Sequence, residues 1–450
     1  MLELLIDIGI YSNFFSSGAI LFTKPFEFYY SYAPLIILLA IFSVKFPFYT
    51  PNLYLLILLL IFGVFNVAIG NNSINNFLKI FLNITINLIF YQYVMHYYNY
   101  NVKLMMKKYL TAVFLISCLG LFQYFSHLIG FAPGVNFKIW LTLDKWNHSI
   151  GGFGLRINSL HAEPSYLGTI HAPAAFICLY KIIKPNLDFI DIKRALVILI
   201  CYVLSSSSLA FLGLFLAIIL ISLNFGAIKY FLATVPIVIF IAIYTYNNSK
   251  DFKLRIDGLN KTFIEGLLDD DNGKTMSQAA KREKAIRLIK SIHGSSFVLY
   301  NNYYVAIKNL ENNYLFGSGL GSHEFAYAKY NLTSKLGGVY KFNAADANST
   351  FLRTLSEVGL VGVLFLIYFM FKFYISKPRL GDVLNKDYWI ISNALFIVIF
   401  LQYLRQGNYT LGGFFFFCWM YYYNYKNMLF DEEKLEEAEK NNKQLEPSAI

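Results

Sequence analysis

Charge is scarce in this chain. Asp, Glu, Lys and Arg make up 14% of its 450 residues against 57% hydrophobic ones, and the mean hydropathy is +0.48. That balance excludes an ordinary soluble domain, where about a quarter of residues are charged. Cysteine is also sparse. Cys118, Cys178, Cys201 and Cys418 all lie in hydrophobic runs and read as small core residues, not as disulfides or metal ligands. The start, MLELLIDIGIYS, lacks a basic n-region and a small-residue cleavage site, so no cleaved signal peptide is expected. No GK[ST] follows the glycines of GSGLG (Gly317–Gly321), which excludes a P-loop and leaves a tight turn as the simpler reading. No metal-ligand cluster is visible. The acidic run Asp269-Asp270-Asp271 reads as loop solvation, so neither metal nor cofactor is expected.

What the chain has instead is long apolar stretches. Tyr54–Val67, Ala195–Leu223 and Val361–Phe371 hold almost no charge, as helices facing lipid require. The expected fold is all-α: a polytopic integral membrane protein of about 12 transmembrane helices. The spans fall near 4–22, 29–45, 52–70, 77–96, 110–131, 167–183, 194–207, 208–224, 229–246, 349–372, 388–404 and 411–426. The first could also lie at the interface. Short basic loops at Lys103–Lys108, Lys181–Arg194 and Lys372–Lys386 should share the cytoplasmic side. They do so only if the apolar run 194–224 breaks into a hairpin at Ser205–Ser208, where serine hydroxyls can satisfy freed backbone groups.

That topology divides the chain into N-terminal helices (1–131), an outer loop (132–166), central helices (167–246), a large outer loop (247–348), C-terminal helices (349–426) and a charged cytoplasmic tail (427–450). The net charge of +11 is spread over many short loops, which fits contact with anionic lipid and gives no nucleic-acid module. Within the large loop, Ser277–Ile292 has the spacing of an amphipathic helix carrying Arg287 among other cations. A solvated face is its plainest reading, although a basic surface would also suit a phosphate-bearing lipid carrier.

The residues able to carry chemistry cluster on the outer side. RINSLHAEPSYLG (Arg156–Gly168) sets Arg156, His161 and Glu163 at the mouth of a span. Unpaired charge at such a boundary costs several kcal/mol, so function is the default reading. The alternative is that Arg156 and Glu163 pair with each other or with lipid headgroups. LFGSGLGSHEFAY (Leu315–Tyr327), DANSTFLRTLSEVGLVG (Asp346–Gly362) and RQGNYTLGG (Arg405–Gly413) follow. Arg405 ends a span, where arginine also snorkels.

In that order these segments resemble the O-antigen polymerase and ligase family, the Wzy-type integral membrane glycosyltransferases, from about residue 130 to 425. In many members a histidine precedes the asparagine at the mouth of the tenth span; here Ala347 precedes Asn348. Any ligase-type histidine role would then fall to His161, His323 or Asp346. The resemblance implies a GT-C-like enzyme of the bacterial inner membrane, with its site facing the periplasm. Its donor would be an undecaprenyl-diphosphate-linked oligosaccharide repeat unit, and its product a surface polysaccharide such as O-antigen or capsule. Expected partners are that lipid-linked substrate, the bilayer and a chain-length regulator in the same membrane, without nucleic acid. Arg156 and Arg405, with Arg287 as a third, are expected to bind diphosphate. Asp346 and Asn348 are further substrate-binding candidates. Glu163 is the expected base and His161 its alternative. The competing readings are a ligase acting on lipid A-core and a lipid-linked oligosaccharide flippase.

Overall fold

The computed structural model describes residues 2–14, 19–22, 27–46, 50–139, 146, 149–151, 154–224, 294–332, 341–376 and 383–445, with isolated positions between 236 and 257. The expected span 229–246 falls almost wholly outside these residues. The expected amphipathic helix 277–292, Arg287 and the run 269–271 fall entirely outside them.

The described chain is mostly helical. The first half holds α1 (Leu2–Phe14), α2 (Tyr32–Lys45), α3 (Thr50–Ala68), α4 (Ile74–Tyr97), α5 (Val102–Leu128) and the short α6 (Ala132–Val135). It continues with α7 (Pro164–Ile170), α8 (Ala172–Ile183), α9 (Ile192–Leu204) and α10 (Ser208–Asn224). Later come α11 (Gly294–Asn312), α12 (His323–Tyr330), α13 (Thr350–Glu357), α14 (Gly359–Lys372), α15 (Val383–Arg405) and α16 (Phe414–Leu445). Two small antiparallel hairpins, β1 (Ala19–Phe22) with β2 (Glu27–Tyr29) and β3 (Ser149–Gly151) with β4 (Gly154–Arg156), complete it.

Among the described residues four helices are long and apolar enough to cross a membrane: Pro51–Ala68, Ile74–Tyr97, Val102–Leu128 and Lys386–Arg405. The pair α7 and α8, bent by 57°, makes a fifth if it counts as one span. Tyr32–Lys45, Ser208–Leu223 and Gly359–Lys372 are apolar but shorter, below the roughly 20 residues of a straight crossing. The window on α15 is 72% buried and that on α3 only 22%, so α15 lies at the centre of the bundle and α3 at its rim. On α3, Tyr54, Leu58, Ile61 and Phe65 are exposed, an apolar face compatible with lipid.

Helix starts follow ordinary capping chemistry. Ser73 accepts from Asn76 N–H (3.2 Å), Asn101 from Leu104 N–H (2.9 Å), Asp191 from Arg194 N–H (2.9 Å) and Ser349 from Leu352 N–H (3.3 Å). The first expected span, 4–22, is not continuous helix: α1 stops at Phe14 and β1 begins at Ala19. The run 194–224 breaks where serines were expected to break it. Ser205 Oγ donates to Tyr202 O (2.7 Å), and Ser207 Oγ accepts from Leu209 N–H (3.3 Å). Gly168 packs on Ala210, and Gly213 packs on Ala172. The pairs advance together, so α10 runs alongside α7 and α8 in the same direction.

The basic loops meet at one end of the bundle. Lys103 pairs with Asp387 (2.6 Å) and lies 4.0 Å from Asp188; Lys107 pairs with Asp188 (2.9 Å). Lys108 pairs with Asp7 (2.9 Å) and Glu3 (3.2 Å), bringing the first helix to that end. Tyr388 donates to Asp431 (2.6 Å), which brings the charged tail there too. Arg405 lies eighteen residues along α15 from Asp387, roughly 27 Å away at helical rise.

The expected span 349–372 is likewise two helices, α13 and α14, separated at Val358. The GSGLG segment fills the break. Ser318 and Gly319 N–H groups donate to Ser356 O (3.2 Å) and Glu357 O (2.8 Å). Leu360 and Val361 N–H groups donate to Tyr314 O (3.2 Å) and Leu315 O (3.1 Å). The approach is too close for side chains. Gly319 has φ +97, and a Cβ there would meet Asn66 Cβ at 2.7 Å. Gly319→Ala should therefore cost about 2 kcal/mol, read as a lower Tm of the detergent-purified protein. Gly294→Ala, which meets nothing within 4 Å, should stay within about 0.5 kcal/mol.

Candidate active site

At the end of the bundle opposite the basic loops, three of the four motif segments become one structure, and the helix entered by the fourth is bonded to it. Its centre is an ion pair that the sequence reading did not single out. Arg353 Nε donates to Glu357 Oε1 (2.9 Å), and the two side chains are 3% and 0% exposed. The spacing is i, i+4 on α13, where such pairs face each other. Burial of this kind demands that the remaining polar atoms also be satisfied. Arg353 Nη1 donates to Gly407 O (3.0 Å), Tyr409 Oη donates to Glu357 Oε2 (3.1 Å), and the guanidinium lies 4.5 Å from the Tyr409 ring centroid. R-x-x-x-E within an otherwise apolar stretch was the available signal.

Further bonds fasten the same joint. Ser349 Oγ donates to Tyr403 O (2.8 Å), and Thr350 Oγ1 donates to Gln406 O. From α11, Asn309 Nδ2 reaches Ser318 Oγ (2.8 Å) and Ser356 O (2.8 Å). The segments 315–321, 346–362 and 405–413 thus form one connected unit. The helix that the fourth segment enters is tied to this unit just past Gly168, where Gln406 Nε2 donates to Thr169 Oγ1 on α7 (3.3 Å).

Asp346 and Asn348 sit at the edge of this unit, both half-buried. Asp346 Oδ1 accepts from Asn348 N–H (3.0 Å) and Asn343 Nδ2 (3.1 Å). Its carbonyl packs so closely on Gly407 that no Cβ fits there. Ala347 and Asn348 both have φ +56, a conformation that alanine adopts only under strain. Arg405, half-buried, ends α15 immediately before Gln406 and Gly407. Asp346, Asn348 and the Arg405–Gly407 turn are therefore neighbours.

The other candidates lie on separate elements. Arg156 ends the hairpin β3–β4, paired in register with Ser149, and is half-buried. Glu163 is exposed at the start of α7, with Pro164 in the first turn and Ser165 Oγ donating to its carboxylate (3.1 Å). It lies six residues, roughly 9 Å along the helix, from Thr169. His161 is placed differently. It is 0% exposed, and its Nε2 lies 3.3 Å from Nε2 of His171 at the kink between α7 and α8. Asn158 Nδ2 holds the His161 carbonyl (2.8 Å), and Gln123 Nε2 holds Asn158 Oδ1 (3.0 Å). Burial lowers the His161 pKa to about 3, so the ring is neutral. His161 is packed behind Glu163 and does not stand beside it at the surface. His323 is also buried, 3.0 Å from Asn302 Oδ1, its pKa lowered to about 3 by burial and then by the nearby Arg353 charge. Arg287 lies outside the described residues.

The candidates supply an exposed carboxylate, half-buried arginines and a buried polar unit. Such a set can bind an anion and accept a proton from a hydroxyl. No protein-family model matches this chain, and no curated protein matches it.

Two measurements test the buried groups. Arg353→Met strands the Glu357 charge and should cost about 3–5 kcal/mol in unfolding free energy. Replacing both residues with apolar ones should recover most of that loss. Separately, the unfolded chain protonates His161 and His323 near pH 6.5, but the folded chain only near 3. Unfolding takes up protons across that window, so stability falls as pH drops below about 6.5. At about pH 5 the loss should be about 2 kcal/mol per histidine. His161→Gln should flatten the fall in Tm; an unchanged slope would count against a buried neutral His161.

Proposed function

We propose that this protein is a polymerase of the bacterial inner membrane that joins undecaprenyl-diphosphate-linked repeat units into a surface polysaccharide. One observation carries the reading. The segments 315–321, 346–362 and 405–413 are hydrogen-bonded neighbours at one end of the bundle, and the helix that segment 156–168 enters is bonded to the last of them through Thr169; these four segments, far apart in sequence, together resemble the O-antigen polymerase and ligase family. The three basic loops occupy the other end. Taking that end as cytoplasmic turns the site toward the periplasm, in a chain of about twelve spans with a GT-C-like arrangement.

The reaction follows from the residue types. Arg156 and Arg405 bind the diphosphate of the donor, whose glycan leaves as the bond between the anomeric carbon and the diphosphate oxygen breaks. An acceptor hydroxyl, on the non-reducing end of a second lipid-linked unit, forms the new bond to that carbon. Glu163, the exposed carboxylate, takes the hydroxyl proton. Asp346 and Asn348, on their strained turn beside Gly407, position the substrate. His161 and His323 are neutral and support the surrounding structure. No metal or cofactor enters this scheme.

Deletion of the protein, followed by gel analysis of surface polysaccharide, tests the reaction class. Single repeat units displayed outside without polymer are expected. Loss of all attached glycan would mean a ligase, and repeat units trapped inside would mean a flippase. In the intact background Glu163→Gln should lower polymer by about 10²-fold or more while the protein still inserts. Arg156→Lys should be severely impaired, because an ammonium has no bidentate fork. Normal polymer in either variant would remove that residue from its role.

A further inference from the structure

The cytoplasmic reading of the basic end leaves one feature there without a function. A cavity of about 490 Å³ opens between α5, α8, α9 and the loop 184–191. Lys107, Lys181 and Arg194 line it, against Asp188 and Asp191. We infer that this cavity binds the phosphate group of an anionic membrane lipid.

The cations differ in what already occupies them. Lys181 Nζ donates to Pro185 O (2.5 Å) and Leu187 O (2.7 Å), closing the loop and leaving one donor of its three. Arg194 Nε pairs with Asp191 (3.0 Å), and its guanidinium lies 5.4 Å from the Phe114 ring centroid. That contact orients a planar fork suited to phosphate oxygens. Among the described residues the Lys107 ammonium pairs only with Asp188, which is 81% exposed. An exposed pair of that kind is weak and yields to a ligand anion. Lys107 also holds the Asp188 carboxyl below the usual carboxylate range, so Asp188 stays charged and competes for the same ammonium.

Two further features select a lipid over a soluble anion. Leu110 and Phe189 form part of the wall, a surface that free phosphate leaves unused. Lys107 stands near the start of α5, whose span Val102–Leu128 is long and apolar enough to cross the membrane. The cavity therefore lies at headgroup depth, where basic pockets between helices take anionic headgroups. The inference does not depend on the reaction proposed above.

The test is native mass spectrometry of the full chain in detergent, equilibrated with equal amounts of phosphatidylglycerol and phosphatidylcholine of matched acyl chains. The unaltered protein should retain phosphatidylglycerol in about tenfold or greater excess. Lys107→Gln combined with Arg194→Gln should bring the two lipids near parity. Asp188→Asn should raise phosphatidylglycerol retention by about threefold, a gain that a misfolded variant cannot give. Millimolar inorganic phosphate should leave that retention unchanged. Equal retention of both lipids by the unaltered protein would overturn the inference, as would a double variant that keeps the preference. Displacement of phosphatidylglycerol by inorganic phosphate would assign the cavity to a free anion, and that also overturns it.

Discussion

A helix interrupted inside apolar surroundings must have its freed backbone groups satisfied by something other than water. This chain interrupts helices repeatedly, and most of its architecture at the motif-bearing end answers that demand. At Val358 the answer is another stretch of backbone. Residues 314–319 lie across the gap and exchange four hydrogen bonds with its two sides. At Ser205–Ser207 hydroxyls answer locally, and Ile157 N–H donates to Leu204 O (3.3 Å). At His171 the two short helices overlap through the kink, with His171 N–H donating to Leu167 O (2.9 Å) and Ala175 N–H to His171 O (2.9 Å). Each break directs polar residues toward one end of a bundle that is otherwise greasy.

The ion pair Arg353–Glu357 depends on the same breaks. Glu357 is the last residue of α13, so its carbonyl is free to accept from Gly319 while its carboxylate faces Arg353. Gly407 follows the end of α15 by two residues, so its carbonyl is free to accept from Arg353. A buried pair of this type is poor evidence for stability by itself, since desolvation opposes the attraction. Its value here is geometric, because one guanidinium and one phenol tie the end of α13 to the turn after α15.

Much of this was legible from residue order. The scarcity of charge gives a helical chain with membrane-sized spans, and the serines at 205–208 mark a break that the charge bias of three loops also requires. The gathering of those loops follows, because Lys103, Lys107 and Lys108 find acidic partners on distant segments. Other features resisted reading. Arg353 and Glu357 were not singled out within Asp346–Gly362, since nothing in a single sequence says that Tyr409 will stack on the guanidinium. GSGLG read as a tight turn, because its partners are backbone groups forty residues away. His161 looked like a site residue by its company in RINSLHAEPS. Its burial is set by Gln123 and His171, which no local spacing connects to it.

The seat of the glycine loop has a consequence for how the chain is made. Asn72 Nδ2 donates to Leu320 O (2.6 Å) across 248 residues, and Asn76 and Asn66 lie against Gly321 and Gly319. The turn joining α3 to α4 is therefore synthesised and inserted long before the segment that rests on it exists. The Asn72 amide needs another partner, from water or headgroups, until the last third of the polypeptide emerges. Contacts of such long range close late, so this end of the molecule is the last to take shape during biogenesis, while the basic loops near residue 103 are already in place to fix orientation.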